Sequence, residues 1–242
     1  MVIDVSAVPA TDLVWRGAVR IIRSLFPPID LFEDIADPAD WPLILAAEQK
    51  TNPRLMESVG NLALVPPERR VSGPGASWLM APFTHVSPDR PSRFSTGGFG
   101  VLYAGDSFEV ALFETVHHHG RFMAATKQPP GWTSQFREIL LDVEARLHDL
   151  RKPGSAVSAV LDPDDYAQSQ ELGNTLRAAG SEGVVYPSVR RAGGACVGLF
   201  YPDGASKPVQ GRHLDYHWNG ERVDLYRDLS RGEVYRIVQG SG

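Results

Sequence analysis

Several things are scarce in this sequence, and each absence removes a class of protein. Cysteine occurs once, at Cys196, so no internal disulfide is possible, and the apolar run from Ala195 to Phe200 around it reads as a buried, reduced thiol in a reducing compartment. No apolar run approaches the length of a membrane span. The opening MVIDVSAVPATDLVW has no basic region followed by a long apolar stretch, so we read a soluble, cytoplasmic protein without a membrane role. Extended positive charge is missing too. With a formal net charge of −5 and only isolated pairs such as Arg69-Arg70 and Arg190-Arg191, an extended nucleic-acid surface is disfavoured, because phosphate contacts need clustered Lys and Arg. No Gly-x-Ser-x-Gly elbow occurs, and Gly97-Gly98-Phe99-Gly100 is not a dinucleotide fingerprint. Internal repeats and low-complexity tracts are absent.

What remains is an ordinary globular composition: 242 residues, 43% hydrophobic and 22% charged, enough for one large domain with a real core. The 19 Pro and 23 Gly point to many turns rather than long uninterrupted helices.

The most informative stretch is Ser92 to Glu114, SRFSTGGFGVLYAGDSFEVALFE. After the Gly-rich turn, Val101 to Ala104 form a β-prone run that Gly105 ends. Asp106 then reads as a helix N-cap, Glu109 as its capping-box partner, and Phe108, Leu112 and Val116 recur at helical spacing. Glu114 is therefore mid-helix. A strand feeding a helix brings Arg93, Tyr103 and Glu114 near one edge, where a cation, a ring and a carboxylate can meet a charged small molecule.

Elsewhere, Leu13 to Ile22 reads as a first strand, with Arg16 and Arg20 interrupting its apolar pattern. Between Asp30 and Arg70 two helical pieces are expected, one over Trp41 to Ala47 capped by Asp40 and one starting at Asn52-Pro53. Ser72 to Pro91 reads as a long loop with a short strand around Trp78 to Phe83. Residues 139–147 alternate like a half-buried strand. Asp162-Pro163 opens a helix that Gly180 ends, and strands follow at Val184 to Tyr186 and Ala195 to Phe200, with Ser188 and Arg190 between them. Asn219-Gly220 predicts a two-residue hairpin turn pairing Trp218 with Glu221, Tyr216 with Val223 and Leu214 with Leu225. Val234 to Val238 adds an edge strand, and residues 239–242 are expected to fray. Strands scattered among helices, with a hairpin, argue for α+β: mixed, mainly antiparallel sheets, flanking helices and an extra N-terminal helical region.

Each candidate residue also has an ordinary structural explanation. Arg93 is a solvated loop residue by type, Tyr103 a core ring with its hydroxyl at the rim, Ser188 a turn residue, and Glu114 a surface acid able to pair with His118 at i+4. The run His117-His118-His119 cannot ligate one metal with all three rings, because consecutive helical residues point about 100° apart. It reads instead as decoration of a helix C-terminus ended by Gly120, where the dipole favours positive charge. No metal is expected. Cys196 lacks the exposed, electropositive setting of a nucleophile.

In their order these residues resemble the RES-domain family, the toxin half of bacterial Xre–RES toxin–antitoxin modules, named for an Arg, a Glu and a Ser. The resemblance rests on Arg93, Gly97, Gly98, Tyr103-x-Ala104, Ala111-x-x-Glu114 and the later Pro187-Ser188, with Trp15-Arg16 at the place of an aromatic-Arg pair on the first strand. It covers Trp15-Arg16 and roughly residues 92–202, with a weaker match through the C-terminal hairpin. Phe94 stands where family members often carry Trp, and the 30–91 region is longer than in a minimal RES domain. We therefore expect a single RES-type domain over 1–242, with 24–91 a helical and loop insertion.

The resemblance implies an ADP-ribosyltransferase-like fold that binds NAD+ as substrate and breaks its nicotinamide glycosidic bond. Glu114 would stabilise the oxocarbenium-like ribose, Arg93 grip phosphate or ribose oxygens, Tyr103 flank nicotinamide and Ser188 hydrogen-bond the substrate, with Arg16 a second phosphate contact. Hydrolysis or phosphorolysis of NAD+ is one implied outcome and mono-ADP-ribosylation of a bacterial protein acceptor another. A non-catalytic module binding antitoxin or nucleotide is a reading of a different class. The implied partner is a cognate Xre-type antitoxin.

Overall fold

The computed structural model describes residues 8–33, 37–48, 50, 55–152 and 159–238. Among these residues eight strands run β1 Ala10–Arg23, β2 Leu102–Gly105, β3 Trp132–Asp149, β4 Gly183–Pro187, β5 Ala195–Leu199, β6 Ala205–Trp218, β7 Val223–Asp228 and β8 Glu233–Arg236. They form one sheet in the order β1-β2-β5-β4-β3-β6-β7-β8, and β1 also pairs with β3. Strands β1, β2, β5, β4 and β3 thus close into a ring, and β6, β7 and β8 extend from β3. Pairing is antiparallel except between β3 and β4, where His148 and Asp149 run parallel to Val184 and Val185. The α+β, mainly antiparallel expectation holds, with one continuous sheet in place of several.

Among the described residues the helices that dress the sheet include α1 Asp30–Glu33, α2 Trp41–Glu48, α3 Leu55–Val59, α4 Ala76–Thr84, α5 Phe108–Ala124 and α6 Ala167–Ala178. Phe32 of α1, Trp41 of α2 and Leu79, Met80 and Phe83 of α4 pack with Ile139, Leu141 and Val143 of β3. Leu172 and Leu176 of α6 pack on Val184, Tyr186 and Phe200. Ala111, Leu112 and Val116 of α5 meet Val19 and Ile21 of β1 and Leu214, Tyr216 and Trp218 of β6. Each fully buried side chain of the size of Leu or Phe contributes about 1.5–3 kcal/mol, so these faces hold the helices to the sheet.

Five local expectations need correction. Trp78 to Phe83 lies within helix α4, not a strand: Ala76, Leu79, Met80 and Phe83 are buried at helical spacing, and the helix continues through Pro82 although that residue has no amide to give the Trp78 carbonyl. The N-cap of α5 is Ser107, whose Oγ accepts the Val110 amide, while the carboxylate of Asp106 accepts the Ala195 amide at 2.7 Å and ties the helix start to β5. Gly120 does not end α5, which continues to Ala124.

Helix α6 begins at Ala167 because Asp162 Oδ1 accepts the amides of Asp164 and Asp165, closing a turn instead of a helix. Its other end is as expected: Gly180, at φ 77°, donates to the Arg177 carbonyl. In the hairpin, Asn219 Oδ1 accepts the amides of Glu221 and Arg222, making a four-residue loop. The register therefore becomes Trp218 with Val223, His217 with Leu225 and Tyr216 with Tyr226. The helix start expected at Asn52-Pro53 and the fraying of residues 239–242 lie outside the described residues.

One irregularity of β1 matters for the site. The register with β3 shifts between Trp15 and Ala18, around Gly17 at φ 71°. This bulge changes the parity of the strand: Leu13 and Trp15 precede it and Ala18 and Ile22 follow it in the same core. Arg16 and Arg20, which strict alternation would place on one face, are separated by it.

Candidate active site

A cavity of about 700 Å³ opens between α5, β1, β2 and the start of α6, within the range of about 300–1,000 Å³ for small-molecule sites. Glu114 projects into it from the middle of α5. Its Oε1 accepts the Ser188 hydroxyl at 2.7 Å and lies 3.8 Å from the Cys196 sulfur. Among the described residues nothing hydrogen-bonds Oε2. Ser188 is itself fixed, because its Oγ accepts the amides of Arg190 at 3.2 Å and Arg191 at 3.0 Å and its own amide donates to the Gly194 carbonyl. The hydroxyl hydrogen is thereby left for the carboxylate.

Arg93 is only 7% exposed. Its Nη1 donates to the Asp162 carbonyl at 2.8 Å and its guanidinium lies 4.3 Å from the centre of the Tyr166 ring. The remaining N–H groups of the fork are not engaged by any acceptor among the described residues. Tyr103 lines the cavity, donates to Ser92 Oγ at 2.9 Å and accepts the Phe94 amide at 3.0 Å. Burial pushes its phenol up to about 12 against the opposing effect of these hydrogen bonds and of Arg93, so the ring is neutral. The Gly-rich turn gives the Arg93 segment its path: a Cβ on Gly97, at φ 94°, would stand 2.5 Å from the Ser87 carbonyl oxygen.

Arg16 lies elsewhere. It pairs with Asp142 at 3.4 Å and Glu144 at 3.1 Å, its side chain 57% exposed. Arg20 is the arginine of β1 that lines the cavity: its Nη1 donates to the Tyr103 carbonyl at 2.9 Å and its buried Nε has no partner among the described residues. Desolvation lowers it to about 10, still cationic at neutral pH, with Tyr103 acting the other way.

Sequence reasoning also missed Tyr166, Arg121 and Cys196 as cavity residues. Cys196 and Tyr186 sit on strands whose composition looks like core, and nothing in their spacing marks the side that faces a cavity. The Cys196 thiol is pushed well up by burial and then by Glu114, so it is protonated and inert. Nor do the histidines carry positive charge. His117 and His119 are lowered to about 4, chiefly by burial and then by Arg190 and Arg23 respectively. No group of three or more His, Cys, Asp or Glu among the described residues could hold a metal ion. No described helix is long and apolar enough to cross a membrane.

A family model described as the RES domain matches residues 67–219, well over half of the chain. The chain belongs to the RES-domain family. In this RES-domain protein the match begins after β1, so Arg16 and Arg20 precede it. The uncharacterized protein y4oC of Sinorhizobium fredii (strain NBRC 101917 / NGR234) is 29% identical over 206 residues, 85% of this chain and 84% of its own length. A chain in the crystal structure of the M. tuberculosis MbcT-MbcA toxin-antitoxin complex aligns with a TM-score of 0.41 at 12% identity, over 85% of this chain and 87% of that one.

Proposed function

We propose that this RES-domain protein is an NAD+-consuming toxin of a toxin–antitoxin module, with an ADP-ribosyltransferase-like site that cleaves the nicotinamide glycosidic bond and passes ADP-ribose to water or inorganic phosphate. The observation that carries the reading is the carboxylate of Glu114, held at Oε1 by Ser188 with Oε2 unclaimed among the described residues, in a cavity that also holds Arg20, Arg93 and Tyr103.

When the C1″–N bond of NAD+ breaks, its electron pair returns to the pyridinium nitrogen and positive charge develops on the ribose. A fixed carboxylate beside that carbon stabilises the charge without reorganising at the moment of reaction. Arg93 and Arg20 supply guanidinium forks for the diphosphate, with Arg20 taking the part that sequence assigned to Arg16. Tyr103 supplies a ring wall for nicotinamide. Ser188 serves the substrate through Glu114, since its hydroxyl hydrogen is already given to Oε1. An Xre-type antitoxin over the mouth of the cavity is the partner that goes with the family.

The test is a timed incubation of purified, antitoxin-free protein with NAD+, with and without phosphate, following nicotinamide and ADP-ribose products by mass spectrometry. Nicotinamide release that Glu114→Gln lowers by about a hundredfold to a thousandfold, at unchanged melting temperature, is expected. Wild-type turnover in a folded Glu114→Gln would sink the mechanism, and no release by the wild type would sink the reading.

A further inference from the structure

Helix α5 turns one face toward the cavity, where Glu114, Thr115, His118 and Arg121 follow the apolar Ala111 in its lining. Glu114 and His118 are four residues apart, which on an α-helix means the same face and a separation of about 6 Å along the axis. His118 lines the cavity wall and keeps access to solvent, its ring meets His117 edge-to-face with centres 5.3 Å apart, and neither of its ring nitrogens has a hydrogen-bond partner among the described residues. An unengaged imidazole thus stands one turn from the carboxylate, on the wall that a ribose seated at Glu114 would face.

We propose that His118 is the general base of the reaction, taking the proton of the attacking water. The step rests on the NAD+ reading above. Water oxygen bonds to C1″ as the C1″–N bond breaks and its electron pair passes to the nicotinamide nitrogen. The water proton goes to a ring nitrogen of His118 and then to bulk solvent. The products are nicotinamide, ADP-ribose and one proton.

The charges around the ring favour this role. Arg121 and His117 lie on the same helix, Arg93 on the segment before β2, Arg190 in the β4–β5 connection, and Asp164 and Asp165 on the turn before α6. Desolvation at the cavity wall, followed by the guanidinium groups of Arg190, Arg93 and Arg121, holds His118 below the usual imidazole range. The ring is therefore neutral at pH 7, with a lone pair to accept a proton. Glu114, one turn away, is bound to Ser188 and occupied with the ribose, which separates the two roles.

The experiment compares wild type, His118→Ala and His118→Gln in phosphate-free buffer, measuring initial rates of nicotinamide release against NAD+ concentration and pH. Both variants should lose about a hundredfold in kcat with KM for NAD+ held within about twofold. The fall in wild-type rate toward acid pH, where the imidazole protonates, should flatten in both. Added imidazole should restore part of the rate to His118→Ala, which leaves room for it, and not to His118→Gln. A variant that keeps wild-type kcat, loses rate only through KM, or keeps the wild-type pH profile overturns the proposal while leaving the NAD+ reading intact. A wild type that releases no nicotinamide removes both.

Discussion

Ser188 and Glu114 lie 74 residues apart in sequence and 2.7 Å apart at their oxygens. The contact joins the β4–β5 connection to the middle of α5, and it fixes one carboxylate oxygen while leaving its twin to the cavity. Replacing Ser188 with Ala removes a hydrogen bond to a charged acceptor, an interaction of about 1.5–3 kcal/mol. We expect kcat for NAD+ cleavage to fall about tenfold to a hundredfold with little change in KM, and Ser188→Thr, which keeps the hydroxyl, to retain most of the rate. Steady-state kinetics on the three proteins checks this.

The two arginines of β1 should behave differently. Arg16→Ala removes solvent-screened ion pairs to Asp142 and Glu144 and should leave NAD+ turnover unchanged. Arg20→Lys keeps a cation but loses the fork, and should raise KM for NAD+ by about tenfold. Equal effects from both substitutions would contradict the placement of the diphosphate.

Stability should respond to acid through His119. This ring is 7% exposed, packs against Phe136 with centres 5.0 Å apart, and has a buried Nε2 without a partner among the described residues. Burial, then Arg23, lowers its pKa to about 4 from 6.5, so between these values the unfolded chain binds a proton that the folded chain does not. This contribution to stability is present above pH 6.5 and is lost as pH falls through that window. His119→Phe should therefore flatten the loss of stability between pH 6.5 and 4, measured by urea unfolding at several pH values.

Gly97→Ala should destabilise the Arg93 segment. The position needs φ 94°, and a Cβ there would meet the Ser87 carbonyl oxygen at 2.5 Å. A loss exceeding about 1 kcal/mol is expected, with a drop in melting temperature. Gly98→Ala, where a Cβ would meet nothing within 4 Å, is the control.

Much of this architecture is legible in the sequence where the physics is local. Arg93, Tyr103 and Glu114 reach one cavity because a turn, a strand and a helix follow one another within two dozen residues. The alternation of residues 139–147 and the glycine at 180 carry their own geometry. Legibility fails where a distant partner decides. Flanking prolines made Trp78 to Phe83 look extended, although burial at Ala76, Leu79, Met80 and Phe83 follows a helix. The side chain of Asn219 captured two amides and lengthened the hairpin loop. Cys196 reads as core because it is core on one side, and only the placement of α5 puts Glu114 against the other.

The bulge at Gly17 shows how little sequence is needed to redirect a strand. One residue with a positive φ acts as a phase shift: everything downstream on β1 trades its inward for its outward side, while the upstream half keeps its own. Were Gly17 paired as a regular strand residue, alternation would run unbroken across β1, and one half of the strand would have to turn itself inside out or slide against β3. Two chemically identical side chains four positions apart would then share one face, the ion-paired surface arginine and the arginine of the cavity. The choice between them is made by a residue that has no side chain.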